Sequence, residues 1–76
     1  MKVEEFIQGL AEELEIEENL TITTKLKDLE EWDSLRAMIL IGYVSNQFGV
    51  TINAEDIIEI TTIESLINKI GKDKFN

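Results

Sequence analysis

The sequence contains no cysteine, no histidine and no proline, and it has one tryptophan and one tyrosine among 76 residues. Without cysteine the chain forms no disulfide and offers no thiolate, and without histidine it lacks the commonest general base and metal ligand. We therefore predict that the protein is not an enzyme and has neither catalytic residues nor a metal site. With no proline, repeat or low-complexity segment to mark a linker, residues 1–76 are interpreted as a single domain.

Basic residues are also scarce, because seven Lys and Arg stand against sixteen Asp and Glu, for a net charge of −9. Such a charge repels nucleic acid and anionic lipid and attracts proteins with positive surfaces. A helix-turn-helix DNA-binding function would need a basic recognition helix, which is missing. No apolar run approaches the roughly 20 residues that span a bilayer. We expect a soluble cytoplasmic monomer, without a membrane span, whose partners are proteins.

Hydrophobic periodicity predicts a small all-α four-helix bundle with three longer helices and one short one. The first helix carries apolar residues at helical spacing at Val3, Phe6, Ile7, Leu10 and Leu14, and Gly9 within it suggests close packing. Asn53 is a suitable cap for the short third helix. A capping-box pattern over residues 61–64 precedes the last helix, which is predicted to end near Gly71. The tail from Lys72 to Asn76 is expected to fray.

Between the first two helices, from Glu15 to Trp32, the periodicity lapses while apolar residues continue. A structureless segment of this length is uncommon in a compact domain, so we predict a long ordered loop that contains a short helical turn. Trp32 is interpreted as a plug of the core rather than a stacking platform. The expected anchors of the loop are its aliphatic side chains, Ile16, Leu20, Ile22, Leu26 and Leu29.

The second helix, from Ser34 to Phe48, is apolar on two faces. One stripe has the spacing of a core face and consists of Ala37, Leu40, Ile41, Val44 and Phe48. Leu35, Met38 and Ile39 are predicted to lie on the opposite side. Burying a large apolar group gains about 1.5 to 3 kcal/mol, and a domain of this size has no second core. These three side chains are therefore predicted to contact a partner surface or a bound apolar group.

Asp33-Ser34-Leu35 stands where the long loop enters the second helix. Ser and Asp are both preferred helix caps, so a purely structural role for Ser34 is the first interpretation. A phosphate ester on its hydroxyl would, however, lie against the free N–H groups and the positive end of the helix, where anions are favoured. The outward apolar side chains begin at this same helix end, which makes Ser34 a candidate modification site.

Three stretches together resemble the acyl carrier protein family from one end of the chain to the other: Asp33-Ser34-Leu35 after a long loop, residues 52–57 (INAEDI) after Phe48-Gly49, and residues 60–63 (ITTI). The resemblance implies that Ser34 takes a covalent 4′-phosphopantetheine arm, which a phosphopantetheinyl transferase moves from coenzyme A. It also implies that Asp33 helps docking on that transferase and that Leu35 belongs to the partner-recognition face. The thiol of the arm would hold an acyl or aminoacyl group as a thioester, presented to loading ligases, synthases or transferases.

The chain departs from the family pattern in two places. The approach to the serine is Glu30-Glu31-Trp32 with no glycine, and residues 35–50 carry one charge, Arg36, where carriers of fatty-acid synthesis display several acids. Recognition there is predicted to depend on apolar contact, with Met38 and Ile39, and we favour a carrier of a dedicated pathway. The alternative is a protein-interaction module with the same fold that is never modified.

Overall fold

The structure, a computed structural model, describes residues 1–75 and confirms the predicted all-α bundle. Its four helices are α1 (Val3–Glu13), α2 (Ser34–Phe48), α3 (Ala54–Glu59) and α4 (Ile63–Ile70). Two short 3-10 turns complete it, at Leu26–Asp28 and Lys72–Lys74. The first of these is the helical turn predicted within the long loop. No helix in the described part of the chain is long and apolar enough to cross a membrane.

The core is made entirely of apolar side chains, contributed by α1, α2, α4 and the segments between the helices. Within residues 1–75 no polar or charged side chain is buried. The predicted core stripe of α2 is confirmed at its centre by Leu40 and Val44, which are fully buried, while Ile41 and Phe48 pack against the same cluster from its edge. The other buried residues are Phe6, Leu10, Leu14, Ile16, Leu26, Leu29, Ile52, Ile60, Ile63, Leu66, Ile67 and Ile70.

Aromatic side chains close one end of this core. The Phe6 ring stacks on Tyr43, with centroids 5.9 Å apart, and meets Phe48 and Phe75 edge-on at 5.6 and 5.3 Å. Such arrangements add about 0.5 to 1.5 kcal/mol per pair beyond the buried area. The expectation that the residues after α4 fray is wrong as far as Phe75, because its ring packs on both Phe6 and Phe48. Asn76 lies outside the described residues.

The long loop is held to the core as predicted, with one exception. Ile16, Leu26 and Leu29 are buried, and Leu20 and Trp32 are half-buried against the same cluster. The Ile22 side chain, predicted as an anchor, is instead 40% exposed. The backbone of Ile22 holds the loop instead, because its carbonyl accepts a hydrogen bond of 2.9 Å from the Glu64 N–H at the start of α4.

Backbone hydrogen bonds join this loop to the beginning of α4. The Thr24 carbonyl accepts from the Ile63 N–H at 3.1 Å, and the Leu26 N–H donates to the Thr61 carbonyl at 3.0 Å. The first N–H groups of a helix have no partner within the helix, so the loop satisfies donors of α4 while α4 fixes the path of the loop. The cap of α4 lies one residue later than predicted, since Thr62 accepts from the Ser65 N–H.

The segment between α2 and α3 begins at Gly49 and ends at Asn53, the residue predicted to cap α3. Gly49 ends α2 in the left-handed conformation, with φ of 68°, which glycine adopts without steric cost. Asn53 caps α3 by accepting the Asp56 N–H at 2.9 Å, and the Asp56 carboxylate accepts the Asn53 N–H in return. These two caps set the short connection that brings α3 beside the first part of α2.

Gly9 allows α1 to approach α2 at Tyr43. A Cβ added at Gly9 would overlap the Tyr43 hydroxyl oxygen and lie 3.3 Å from its Cζ. The ring cannot simply swing away, because it is stacked on Phe6. We therefore predict that Gly9→Ala lowers the free energy of unfolding by about 1 to 3 kcal/mol, the usual cost of overpacking, and that this outweighs the gain in helix propensity of at most about 1 kcal/mol.

Chemical denaturation of the single variants Gly9→Ala and Tyr43→Phe and of the double variant measures this contact. Removing the hydroxyl should make Gly9→Ala much less destabilising in the Tyr43→Phe background than in the wild type. Equal effects of Gly9→Ala in the two backgrounds would contradict the proposed overlap.

Candidate functional site

Asp33 is the residue that caps α2. Its backbone is extended, with φ of −151° and ψ of −177°, and its Oδ1 accepts the Arg36 N–H at 2.9 Å. The Asp33 carbonyl accepts the Ala37 N–H at 3.0 Å. The carboxylate therefore satisfies one of the donors that every helix N-terminus leaves open.

Ser34 is consequently the first residue of the helix and not its cap. The residue is exposed, and among residues 1–75 its hydroxyl takes part in no hydrogen bond. The purely structural interpretation of this serine, as a cap for α2, is thus excluded by the position of Asp33. What remains is an accessible hydroxyl held at the positive end of a 15-residue helix.

Arg36 connects this helix start to the end of α1. Its Nε donates to the Leu14 carbonyl at 3.1 Å, and its Nη1 lies 3.2 Å from Asp33 Oδ2. The Arg36 N–H first, and then the charge of its guanidinium, hold the pKa of the Asp33 carboxyl below its ordinary value of 3.8. Asp33 therefore accepts from both the backbone and the side chain of the same residue.

An open apolar cleft lies beside Ser34, between α2 and α3. Its volume is about 210 Å³. Its lining residues are Ser34, Ala37, Met38 and Ile41 from α2 and Ala54 and Ile57 from α3. Apart from the serine, every residue that lines the cleft is apolar. A group attached to the serine hydroxyl would have this apolar surface within reach.

The outward apolar face of α2 is narrower than the sequence suggested. Leu35 and Met38 are 60% and 69% exposed. Ile39, predicted to lie with them, is half-buried and packs against the core. The reason is its position in the helix, three residues after Arg36 and four before Tyr43, both of which face α1. Ile39 therefore belongs to the contact between α1 and α2.

Ile58 on α3 is an exposed apolar residue that the sequence interpretation did not single out. It is 69% exposed, as much as Met38, whereas its neighbour Ile57 turns into the cleft. Two consecutive large aliphatic residues in a short helix cannot lie on the same face. The pair Ile57-Ile58 in the sequence therefore indicated that one of the two side chains is exposed. Leu35 and Met38, which are neighbours on α2 at a spacing of three residues, are together called the exposed apolar patch below.

No cluster of three or more potential metal-ligating side chains is found among residues 1–75. Glu15, Glu17 and Glu18, the acidic residues that directly follow α1, are exposed. The site thus consists of one hydroxyl, one paired carboxylate and an apolar surface.

The lowered pKa of Asp33 predicts a specific pH dependence of stability. Because this pKa is lower in the folded chain than in the unfolded chain, the ionised carboxylate stabilises the fold above the ordinary value of 3.8. This contribution is lost as the pH falls through the folded-state pKa. Asn is an equally good cap, so Asp33→Asn should remove only this pH-dependent part. The difference in urea midpoint between wild type and variant should shrink as the pH is lowered from 6 to about 2.

Other carboxylates contribute equally to wild type and Asp33→Asn, so their contribution cancels in the difference between the two proteins. Asp56 is one of them, because the hydrogen bond from the Asn53 N–H lowers its pKa as well. A difference in midpoint that stays constant over this pH range would show that ionised Asp33 contributes nothing to the fold.

The comparisons with known proteins agree with this geometry. A family model described as "Phosphopantetheine attachment site" matches residues 4–70, which is most of the chain and includes all four helices apart from Val3. No curated protein and no solved structure gives a significant match. The family carries covalently attached 4′-phosphopantetheine, and its carrier domains interact with phosphopantetheinyl transferases and biosynthetic enzymes and are generally not catalytic. The chain therefore belongs to the phosphopantetheine attachment family, as a carrier domain of the acyl carrier protein type.

Proposed function

We propose that Ser34 is the attachment point of the phosphopantetheine arm and that residues 1–76 act as one non-catalytic carrier domain. The observation that carries this proposal is the division of roles at the start of α2. Asp33 supplies the cap, accepting the Arg36 N–H at 2.9 Å, which leaves the neighbouring serine hydroxyl exposed and without a structural partner. A hydroxyl needed for capping would lose its hydrogen bond on modification, whereas this one loses nothing.

The residues around Ser34 fit such an arm. A phosphodiester there would lie at the positive end of α2, where an anion is favoured by typically 0.3 to 1 kcal/mol. In the transfer, the Ser34 Oγ bonds to the phosphorus that bears the pantetheine, and the bond from that phosphorus to the bridging oxygen of coenzyme A breaks. Adenosine 3′,5′-bisphosphate leaves, and the hydroxyl proton passes to a base of the transferase or to water. The arm, once attached, supplies the thiol on which an acyl or aminoacyl group is held as a thioester.

Apolar contact is proposed as the main means of partner recognition. Arg36 is the one charged residue of α2, and its side chain bonds inward to Leu14 and Asp33. The solvent side of α2 near the serine presents Leu35 and Met38. Exposed apolar side chains that cluster on the surface of a protein are typical of interaction sites. We infer that Asp33, Leu35 and Met38 meet the transferase and the loading enzymes, while Ile39 supports them from the interface with α1.

The cargo is proposed to belong to a dedicated pathway rather than to general fatty-acid synthesis. The support for this is that α2 has no acidic residue with which to meet the basic docking surface of such enzymes. A protein-interaction module that is never modified is the alternative. It is favoured by the approach Glu30-Glu31-Trp32, which lacks the usual glycine. Modification of the serine distinguishes the two functions.

Incubation of the full chain with coenzyme A and a broad-specificity phosphopantetheinyl transferase is expected to add one phosphopantetheinyl group. Intact mass measurement reads this directly, because the added group changes the mass of the whole chain once. Ser34→Ala should gain nothing, since it lacks the hydroxyl that receives the phosphorus. The absence of a mass gain in the wild type, while a known carrier is modified in the same reaction, would favour the interaction module.

Met38→Glu is expected to raise the KM for the carrier in the same transfer reaction by about tenfold, because it places a charge in the exposed apolar patch. The fold should be unchanged, since Met38 is 69% exposed. Asn46→Glu is the matched control, because Asn46 is also exposed on α2 and its substitution adds the same charge farther from Ser34. Equal KM values for the two variants would contradict recognition through the patch.

A further inference from the structure

We propose that Arg36 is a positioning residue for the modification, and that its guanidinium fixes Ser34 by tying the end of α1 to the start of α2. This inference rests on the proposed attachment at Ser34. The loop that delivers the serine begins after Leu14 and ends at Asp33, and Arg36 makes a side-chain bond to each of these two residues. The Arg36 side chain is thus hydrogen-bonded to the residues at both ends of the loop.

The two bonds of Arg36 use different parts of its guanidinium. Nε donates to the Leu14 carbonyl at 3.1 Å, and Nη1 donates to Asp33 Oδ2 at 3.2 Å. Leu14 is the C-terminal cap residue of α1, where carbonyl groups lack helical partners and positive charge is favoured. With its side chain only 23% exposed, Arg36 is less accessible to competing water than Asp33, which is 52% exposed. The guanidinium therefore joins the C-terminal end of α1 to the carboxylate that caps α2.

The backbone hydrogen bonds of the loop within residues 1–75 do not link the end of α1 to the start of α2. The backbone hydrogen bonds of the loop hold its middle, residues 22–26, to the start of α4. Its last residues are held to the core by Trp32, which is half-buried. The α1 end and the α2 start are joined by a hydrogen bond only through Arg36, across 22 residues of sequence. Without it the first turn of α2 loses its one hydrogen bond to the end of α1 among residues 1–75.

Charge gives a second reason for a cation at this position. Asp33 precedes Ser34, so a phosphodiester on the serine would stand next to a carboxylate. The Arg36 guanidinium offsets that carboxylate through the 3.2 Å ion pair, which lowers the repulsion that modification would otherwise introduce. In a chain of net charge −9, α2 provides one cation, and it stands two residues after the serine to which a negative group would be added.

Lysine is not expected to replace this arginine. A guanidinium presents several donors in a rigid planar arrangement and reaches a carbonyl and a carboxylate at the same time, whereas an ammonium is a single compact charge. We therefore expect Arg36→Lys to keep the fold and the net charge but to lose part of the positioning.

The test is the kcat/KM for transfer of the phosphopantetheinyl group from coenzyme A to the full chain. Arg36→Gln should lower kcat/KM by about tenfold or more, since small displacements of a reacting group can cost about 10²-fold. In Arg36→Gln, amide hydrogen exchange should accelerate at Ala37, whose N–H donates to the Asp33 carbonyl, more than at the amides of α4. A loss of global stability alone would accelerate both.

Two controls separate positioning from charge and from stability. Lys69→Gln removes a cation that pairs with Asp56 and Glu59 at 3.0 and 3.3 Å, far from the serine in sequence, and it should leave kcat/KM unchanged. Ile67→Val weakens the core at α4 and should also leave kcat/KM unchanged at temperatures where the chain is folded.

The outcomes distinguish this inference from the proposed function. A wild-type chain that is not modified would refute attachment at Ser34. A wild-type chain that is modified, with Arg36→Gln modified at the same rate, would refute the positioning role and leave the function standing. If Arg36→Gln does not fold, Arg36→Lys is the deciding variant. A kcat/KM between the values of wild type and Ser34→Ala supports the positioning role, and a kcat/KM equal to that of wild type overturns it.

Discussion

The packing of the long loop against the core is the constraint on which the site depends. Between Leu14 and Asp33 the chain has little regular structure, and its backbone is held by a few buried aliphatic side chains and by hydrogen bonds to the start of α4. Fixing the backbone of one residue costs about 1 to 2 kcal/mol in conformational entropy. In a domain this small, the burial of these aliphatic side chains has to offset that cost. Because Leu26 and Leu29 are fixed, α2 begins at a defined place, and that place is Ser34.

The start of α2 combines several roles in four consecutive residues. Asp33 caps the helix, Ser34 exposes a hydroxyl, Leu35 faces solvent and Arg36 turns back to α1. A helix repeats its direction only every 3.6 residues, so neighbouring residues necessarily point to different surroundings. One turn of helix therefore supplies the cap, the proposed modification site, a proposed partner contact and the attachment to the rest of the bundle.

The helices and most of the core could be predicted from the sequence, since periodicity and caps are local properties. The side chains that were missed depend on how distant elements meet. Ile39 faces α1 only because Arg36 and Tyr43 beside it do, and Phe75 packs because α4 ends opposite Phe6 and Phe48. The bond from Arg36 to Leu14 was likewise beyond prediction, because it depends on the path of the whole loop between them.

The most direct test of attachment at Ser34 is peptide mapping of the protein purified from cells that contain a phosphopantetheinyl transferase. Cleavage after Lys27 and Arg36 releases residues 28–36, DLEEWDSLR, in which Ser34 is the one hydroxyl-bearing residue. The modified fraction should carry the phosphopantetheinyl mass on this peptide. An unmodified peptide, with the added mass found elsewhere in the chain, or no added mass in cells that modify a control carrier, would contradict the assignment.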